Sequence, residues 1–201
     1  TDVANAAFFT IFYVPMVPII IFIFKKDFLH WSVWPSVILC LIGGYLLTNF
    51  QDATVRLGDT LVVLGALFWS THIIFTGMIV KKYNLPLTIG AIQTLLVALF
   101  SFIIGLFSEE FVIANILNEI DSILYAGILS GGFAFVLQIY AQRNITPAPA
   151  AIIFSLEGVF ATIAAWFLLN QILGINNLLG CFFILSGVLL SQLVPLIRKA
   201  S

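Results

Sequence analysis

The sequence predicts an all-α membrane protein with seven spanning helices, and three observations carry that expectation. Apolar residues make up 62% of the 201 residues and charged residues only 8%, where soluble domains carry roughly a quarter charged. The mean hydropathy is +1.16, so the chain lacks the polar surface to cover a water-soluble globule. Seven stretches, 4–24, 31–49, 60–80, 87–107, 121–141, 148–169 and 175–197, meet or approach the about 20 apolar residues a helix needs to cross hydrocarbon. A net charge of -1 gives no footprint for nucleic acid, and membrane lipids are the surroundings the composition requires.

Taken in order, the first stretch begins almost at Thr1, with neither a basic leader nor a cleavage site before it. It is therefore no signal peptide, and the expectation is a processed or N-terminally truncated chain. Pro15 and Pro18 lie inside it and should kink it, since each lacks an amide donor. Lys25 and Lys26 follow it, and Arg56 sits between Asp52 and Asp59 after the second stretch. Lys81 and Lys82 follow the third, and Glu109, Glu110, Glu119 and Asp121 follow the fourth. Arg143 follows the fifth, nothing charged follows the sixth, and Arg198 and Lys199 close the seventh. Basic connectors alternate with acidic or neutral ones, so the first stretch should run inward and the C-terminus should be cytoplasmic. The longest connector, "SEEFVIANILNEID" at 108–121, suits the membrane interface. Cys40 and Cys181 sit in apolar runs as small packing residues. Gly127 and Gly131 have the small-xxx-small spacing of close helix packing.

An internal repeat is also legible. At an offset of 144 residues, Ala4, Ala6 and Ala7 fall on Ala148, Ala150 and Ala151. Without a gap, Leu29 falls on Leu173, Leu41 on Leu185, Gly43 on Gly187 and Leu46 on Leu190. By the charge rule residues 4–24 run inward and 148–169 outward, so the repeat is inverted, as in many secondary transporters. The third stretch then lacks a counterpart, which places roughly 85 residues, or three helices, upstream of Thr1. The whole would have ten helices in two sets of five.

The segment "IYAQRNITPAPAAIIFSLEGVFATIAAWFLL", followed by "LLGCFFILSGVLLS", closely resembles the last two helices of EamA-type permeases of the drug/metabolite transporter superfamily. "GDTLVVLGALFWSTHIIFTGMIVKKY" resembles the helix that opens the family's second repeat. The resemblance covers essentially the whole chain. It implies ten helices in an inverted repeat and movement of a small metabolite, amino acid or drug by alternating access, without ATP hydrolysis. It assigns 1–57 to the last two helices of the first repeat and 58–201 to the five of the second. Two departures stand out: Glu157-Gly158 where the family commonly has Glu-Pro, which removes a helix kink, and Asn170-Gln171 where it commonly has Gly-Glu.

Five residues are candidates for substrate binding or proton coupling. Glu157 lies about ten residues into its helix, near the bilayer midplane at about 1.5 Å per residue. Intramembrane carboxylates usually mark pathways, the bland alternative being a protonated acid bonded to a neighbouring helix. Ala150, Phe154, Ala161 and Ala164 share its helical face, and small residues predict packing against other helices. His72 is mid-helix and either relays protons or bonds a carbonyl across helices. Trp69, three residues earlier, shares its face and offers either a stacking wall or plain packing. Gln138 and Gln142, four apart, suit a polar cavity and interhelical hydrogen bonding equally.

No glycine-rich phosphate loop, Cys/His cluster or serine nucleophile elbow occurs in the sequence, so no cofactor or metal is expected. A membrane-embedded enzyme acting on lipid-like substrates is the alternative class, disfavoured because the ionisable residues within helices are isolated. An inactive truncated relic is another, since a site at a repeat interface needs both halves.

Overall fold

The structure, a computed structural model, describes residues 3–25, 29–48 and 56–200. Lys26 and Asp52 of the charge pattern lie outside the described residues, as do the side chains of Lys25, Arg198 and Lys199. Among the described residues each of the seven apolar stretches forms helix, and no strand occurs. The chain is an all-α membrane protein. Among the described residues, six helical stretches are long and apolar enough to cross a bilayer: Ala6–Phe24, Leu57–Tyr83, Pro86–Ser108, Ile120–Gln142, Pro147–Leu169 and Ile175–Ile197. The second stretch, α3 (Val33–Thr48), has 16 residues, or about 24 Å at 1.5 Å per residue, shorter than the hydrocarbon core.

The residues pack as two compact units, Thr1–Phe75 with Thr146–Ser201, and Thr76–Ile145. The first contains α1 (Val3–Thr10), α2 (Tyr13–Lys25), α3, most of α4 (Leu57–Tyr83), α9 (Pro147–Phe154), α10 (Leu156–Leu169) and α11 (Ile175–Ala200). Its core joins Tyr13, Val14 and Val17 of α2 to Val37 and Cys40 of α3, Ala66 and Ile73 of α4, and Ala148, Ala151 and Ile152 of α9. The helix α10 ends at Asn170, whose φ of 52° lies in the left-handed region that asparagine tolerates.

The repeat read from the sequence has a geometric counterpart. Shifted by 144 residues, α1 falls on α9 end to end, and α2 on α10 to within a residue. Both copies are helix–break–helix, interrupted at Ile11–Phe12 in one and at Ser155 in the other. The helices that follow, α3 and α11, pack along each other closely, and their contacts are reciprocal. A Cβ added to Gly43 would lie 2.6 Å from the Gly180 carbonyl oxygen and 2.6 Å from the Ile184 side chain. One added to Gly187 would lie 2.8 Å from the Ser36 carbonyl oxygen and 2.9 Å from Cys40 Sγ. The same offset carries Gly43 to Gly187, Ser36 to Gly180 and Cys40 to Ile184. The two contacts are thus one contact seen from either copy, as a pseudo-two-fold axis between the helices requires. Glycine is needed at both places because a backbone carbonyl occupies the space of a Cβ.

Two expectations about the helix breaks are modified. The first stretch is interrupted one turn before Pro15: proline has no N–H for the Ile11 carbonyl, which accepts instead from the Val14 N–H at 2.9 Å. Pro18 lies within continuous helix. In the second copy the absence of proline after Glu157 does not restore a continuous helix. The Gly158 N–H donates to the Ser155 carbonyl at 3.3 Å, a tightened step, and the Ser155 hydroxyl donates to the Ile152 carbonyl at 2.6 Å.

The second unit contains the end of α4, α5 (Pro86–Ser108), the short α6 (Ile113–Asn118) within the acidic connector, α7 (Ile120–Leu124), a π-helix (Tyr125–Ala134) and α8 (Phe135–Gln142). Pro86 opens α5 at a position whose N–H would have no helical partner. The close packing expected of Gly127 and Gly131 is not found. Gly127 has nothing within 4 Å of a built Cβ, and Gly131 meets only the Ala126 carbonyl at 3.3 Å. Gly132 likewise meets the Gly127 carbonyl at 3.3 Å. Each carbonyl lies five residues back, which is the i→i+5 step of a π-helix, so glycine here fits the wide turn of its own segment. Side chains such as Leu95, Val97, Phe100, Phe107 and Ile128 are exposed, a surface suited to lipid tails.

Candidate functional site

The first unit holds Glu157, Trp69 and His72; Gln138 and Gln142 belong to the second. Glu157 is in the first turn of α10, just after the break at Ser155 and near the middle of the 23-residue span Pro147–Leu169. The break explains how a carboxylate is tolerated there. An interrupted ladder frees backbone N–H groups, and the positive end of the new helix dipole favours negative charge.

The packing around it differs from the small-residue face read from the sequence. Ala150 is buried and Phe154 half-buried, but Glu157, Ala161 and Ala164 are exposed. The turn at Ser155 resets the helical register, so the four positions no longer share one environment. The opposite side of α10 packs instead: Val159 is buried, and Gly158 stands against Leu47 and Ile184. A carboxylate at this depth avoids bare hydrocarbon only by facing a polar cavity or another protein segment.

Next to the Glu157 carboxyl lies the hydroxyl of Tyr13, close enough for the two groups to interact. Tyr13 is 1% exposed, and its hydroxyl has no regular hydrogen bond. The Tyr13 carbonyl lies 3.4 Å from Ser70 Oγ of α4, whose main acceptor is the Ala66 carbonyl at 2.7 Å. Ser155, at the break, points its hydroxyl towards Cys40 Sγ of α3 at 3.4 Å. These contacts join α2 to α4 and the break before α10 to α3. No Lys or Arg among the described residues forms an ion pair with the Glu157 carboxylate.

His72 and Trp69 are both half-buried and stack, with ring centroids 5.0 Å apart and planes inclined by 15°. Trp69 also packs against the unit's core. In the second unit Gln142 is buried and Gln138 half-buried, with the Gln138 Nε2 enclosed and without a hydrogen bond. The Gln93 amide donates to the Thr76 hydroxyl at 3.1 Å, tying α5 to the end of α4.

Tyr13 was missed as a candidate because a lone tyrosine in an apolar helix ordinarily reads as packing. The signal was nonetheless available: the 144-residue offset sets Tyr13 directly on Glu157.

Residues 56–193 match the EamA-like transporter family. The chain is 30% identical over 199 residues to an "Uncharacterized transporter" of Archaeoglobus fulgidus, covering 96% of this chain and 61% of that protein. It is 27% identical over 168 residues to "Uncharacterized transporter YoaV" of Bacillus subtilis, covering 80% and 55%. A solved structure titled "Crystal structure of protein" shares the fold, with a TM-score of 0.74 over 96% of this chain and 68% of that one, at 13% identity. The chain thus spans somewhat over half the length of these curated relatives. With its helical spans and this match over most of its length, the chain belongs to the EamA-like transporter family.

Proposed function

We propose that the chain forms the last seven helices of a ten-helix secondary transporter that moves a small metabolite, amino acid or drug by alternating access, with proton coupling at Glu157. Residues 1–57 complete the first repeat and 58–201 form the second, with the C-terminus in the cytoplasm of a bacterial inner membrane. The observation that carries the reading is the Glu157 carboxylate: mid-span, exposed, beside a break in its helix, and without an ion-pair partner among the described residues. Broken helices whose N-termini face the midplane are a recurrent way to build transporter sites. A proton, or a cationic group on the cargo, is the counter-charge this reading assigns to the carboxylate. The Trp69–His72 stack, in the same unit as Glu157, supplies a flat wall for the cargo.

The test is uptake of labelled amino acids and amines into proteoliposomes containing the protein, across a range of external pH, for wild type and Glu157→Gln. Wild-type uptake is expected to vary with pH and the Glu157→Gln profile to be flat, because the amide cannot titrate. A profile of unchanged shape in the variant rules out Glu157 as the coupling group.

A further inference from the structure

We infer that Tyr13 is the positioning residue of the Glu157 site: its hydroxyl holds the carboxylate from the equivalent position of the other repeat. This rests on Glu157 being the binding or coupling group. The repeat register and the packing converge on the pair. The 144-residue offset that superposes α1 on α9 end to end also places Tyr13 on Glu157, so the two are repeat-related. Each follows a helix break, Tyr13 after Ile11–Phe12 and Glu157 after Ser155. Tyr13 of α2 packs against α9 in one buried cluster with Ala151 and Ile152, just before the break that precedes Glu157, and from there its hydroxyl comes within interaction range of the carboxyl. Residues related by a two-fold axis meet each other only close to that axis, and the reciprocal glycine contacts of α3 and α11 mark its position.

The chemistry of the pair is complementary. A phenol is a donor and a carboxylate is an acceptor, and a buried hydroxyl with no regular bond is an uncommon expense unless a partner reaches it. When Glu157 carries charge, a small closing movement at the breaks lets the Tyr13 hydroxyl donate to it, tying one repeat to the other. When a proton or an ammonium group occupies the carboxyl, that tie is released. The pair so links occupancy of the site to the two broken helices that would have to move.

The test needs no knowledge of the cargo. Dicyclohexylcarbodiimide, which reacts with protonated carboxyl groups in apolar surroundings, is applied to the protein in lipid nanodiscs, and labelling of Glu157 is read by peptide mass spectrometry. Tyr13→Phe keeps the ring and deletes only the donor. Labelling of Glu157 is expected to rise roughly tenfold in this variant, the factor that loss of one hydrogen bond to a charged acceptor implies. Thermal unfolding should be little changed, and Glu110 in the acidic connector serves as an internal control. Equal labelling of Glu157 in the two proteins overturns the proposal, as does a rise shared by Glu110. Because labelling is read without transport, a protein that labels as expected but moves no solute sinks the transport reading and leaves the pairing standing.

Discussion

Replacing Gly43 by valine is expected to destabilise the first unit by about 3 kcal/mol or more, the upper range for overpacking, because the obstacle is backbone rather than a movable side chain. The Gly180 carbonyl at 2.6 Å and the Ile184 backbone nitrogen at 3.0 Å belong to the facing helix, so only separation of α3 from α11 relieves the clash. Gly187→Val should cost a similar amount, since the Ser36 carbonyl stands in the equivalent place. Gly65→Ala is the control: nothing lies within 4 Å of a Cβ there, and alanine favours the helix by up to about 1 kcal/mol. Thermal unfolding in detergent micelles reads all three. Tolerance of valine at both Gly43 and Gly187, with unfolding temperatures near wild type, would contradict the close crossing of α3 and α11.

The second large effect is expected at Tyr13. Tyr13→Ala removes a ring that is 1% exposed and belongs to the buried core that also contains Val17, Val37, Cys40, Ile73 and Ile152. In a soluble protein such a truncation costs about 3–5 kcal/mol, part of it transfer from water. In a membrane the transfer part largely vanishes, because lipid is as apolar as the core. The cavity remains, and about 2 kcal/mol is expected. Tyr13→Phe keeps the ring and should stay within about 1 kcal/mol of wild type. Equal unfolding temperatures for the alanine and phenylalanine variants would show that the ring does not fill the core. The comparison also separates the ring's packing from the hydroxyl's role at Glu157.

Both effects trace back to one feature of the chain, a duplicated helix–break–helix followed by a glycine-bearing helix. It governs stability through Gly43 and Gly187. It also sets Tyr13 and Glu157 at equivalent places after the two helix breaks. The exposed carboxylate and the buried hydroxyl occupy positions 144 residues apart, equivalent under the repeat offset.

The sequence by itself determined the class, the seven helical stretches and the repeat register, because hydrocarbon imposes a length and a composition that can be read locally. It also singled out Glu157, since a carboxylate in an apolar run has few bland explanations. The tertiary structure alone decided what surrounds that residue. A helical wheel assumes an unbroken helix, so it put Ala161 and Ala164 on a packed face; the turn at Ser155 breaks the register and leaves both exposed. Spacing alone read Gly127 and Gly131 as an interhelical contact, whereas the π-helix turns that spacing inward on its own carbonyls. Tyr13 comes near the break that precedes Glu157 only because α2 packs against α9. Contacts between residues 144 positions apart depend on how helices cross, and that is settled by packing rather than by any local pattern.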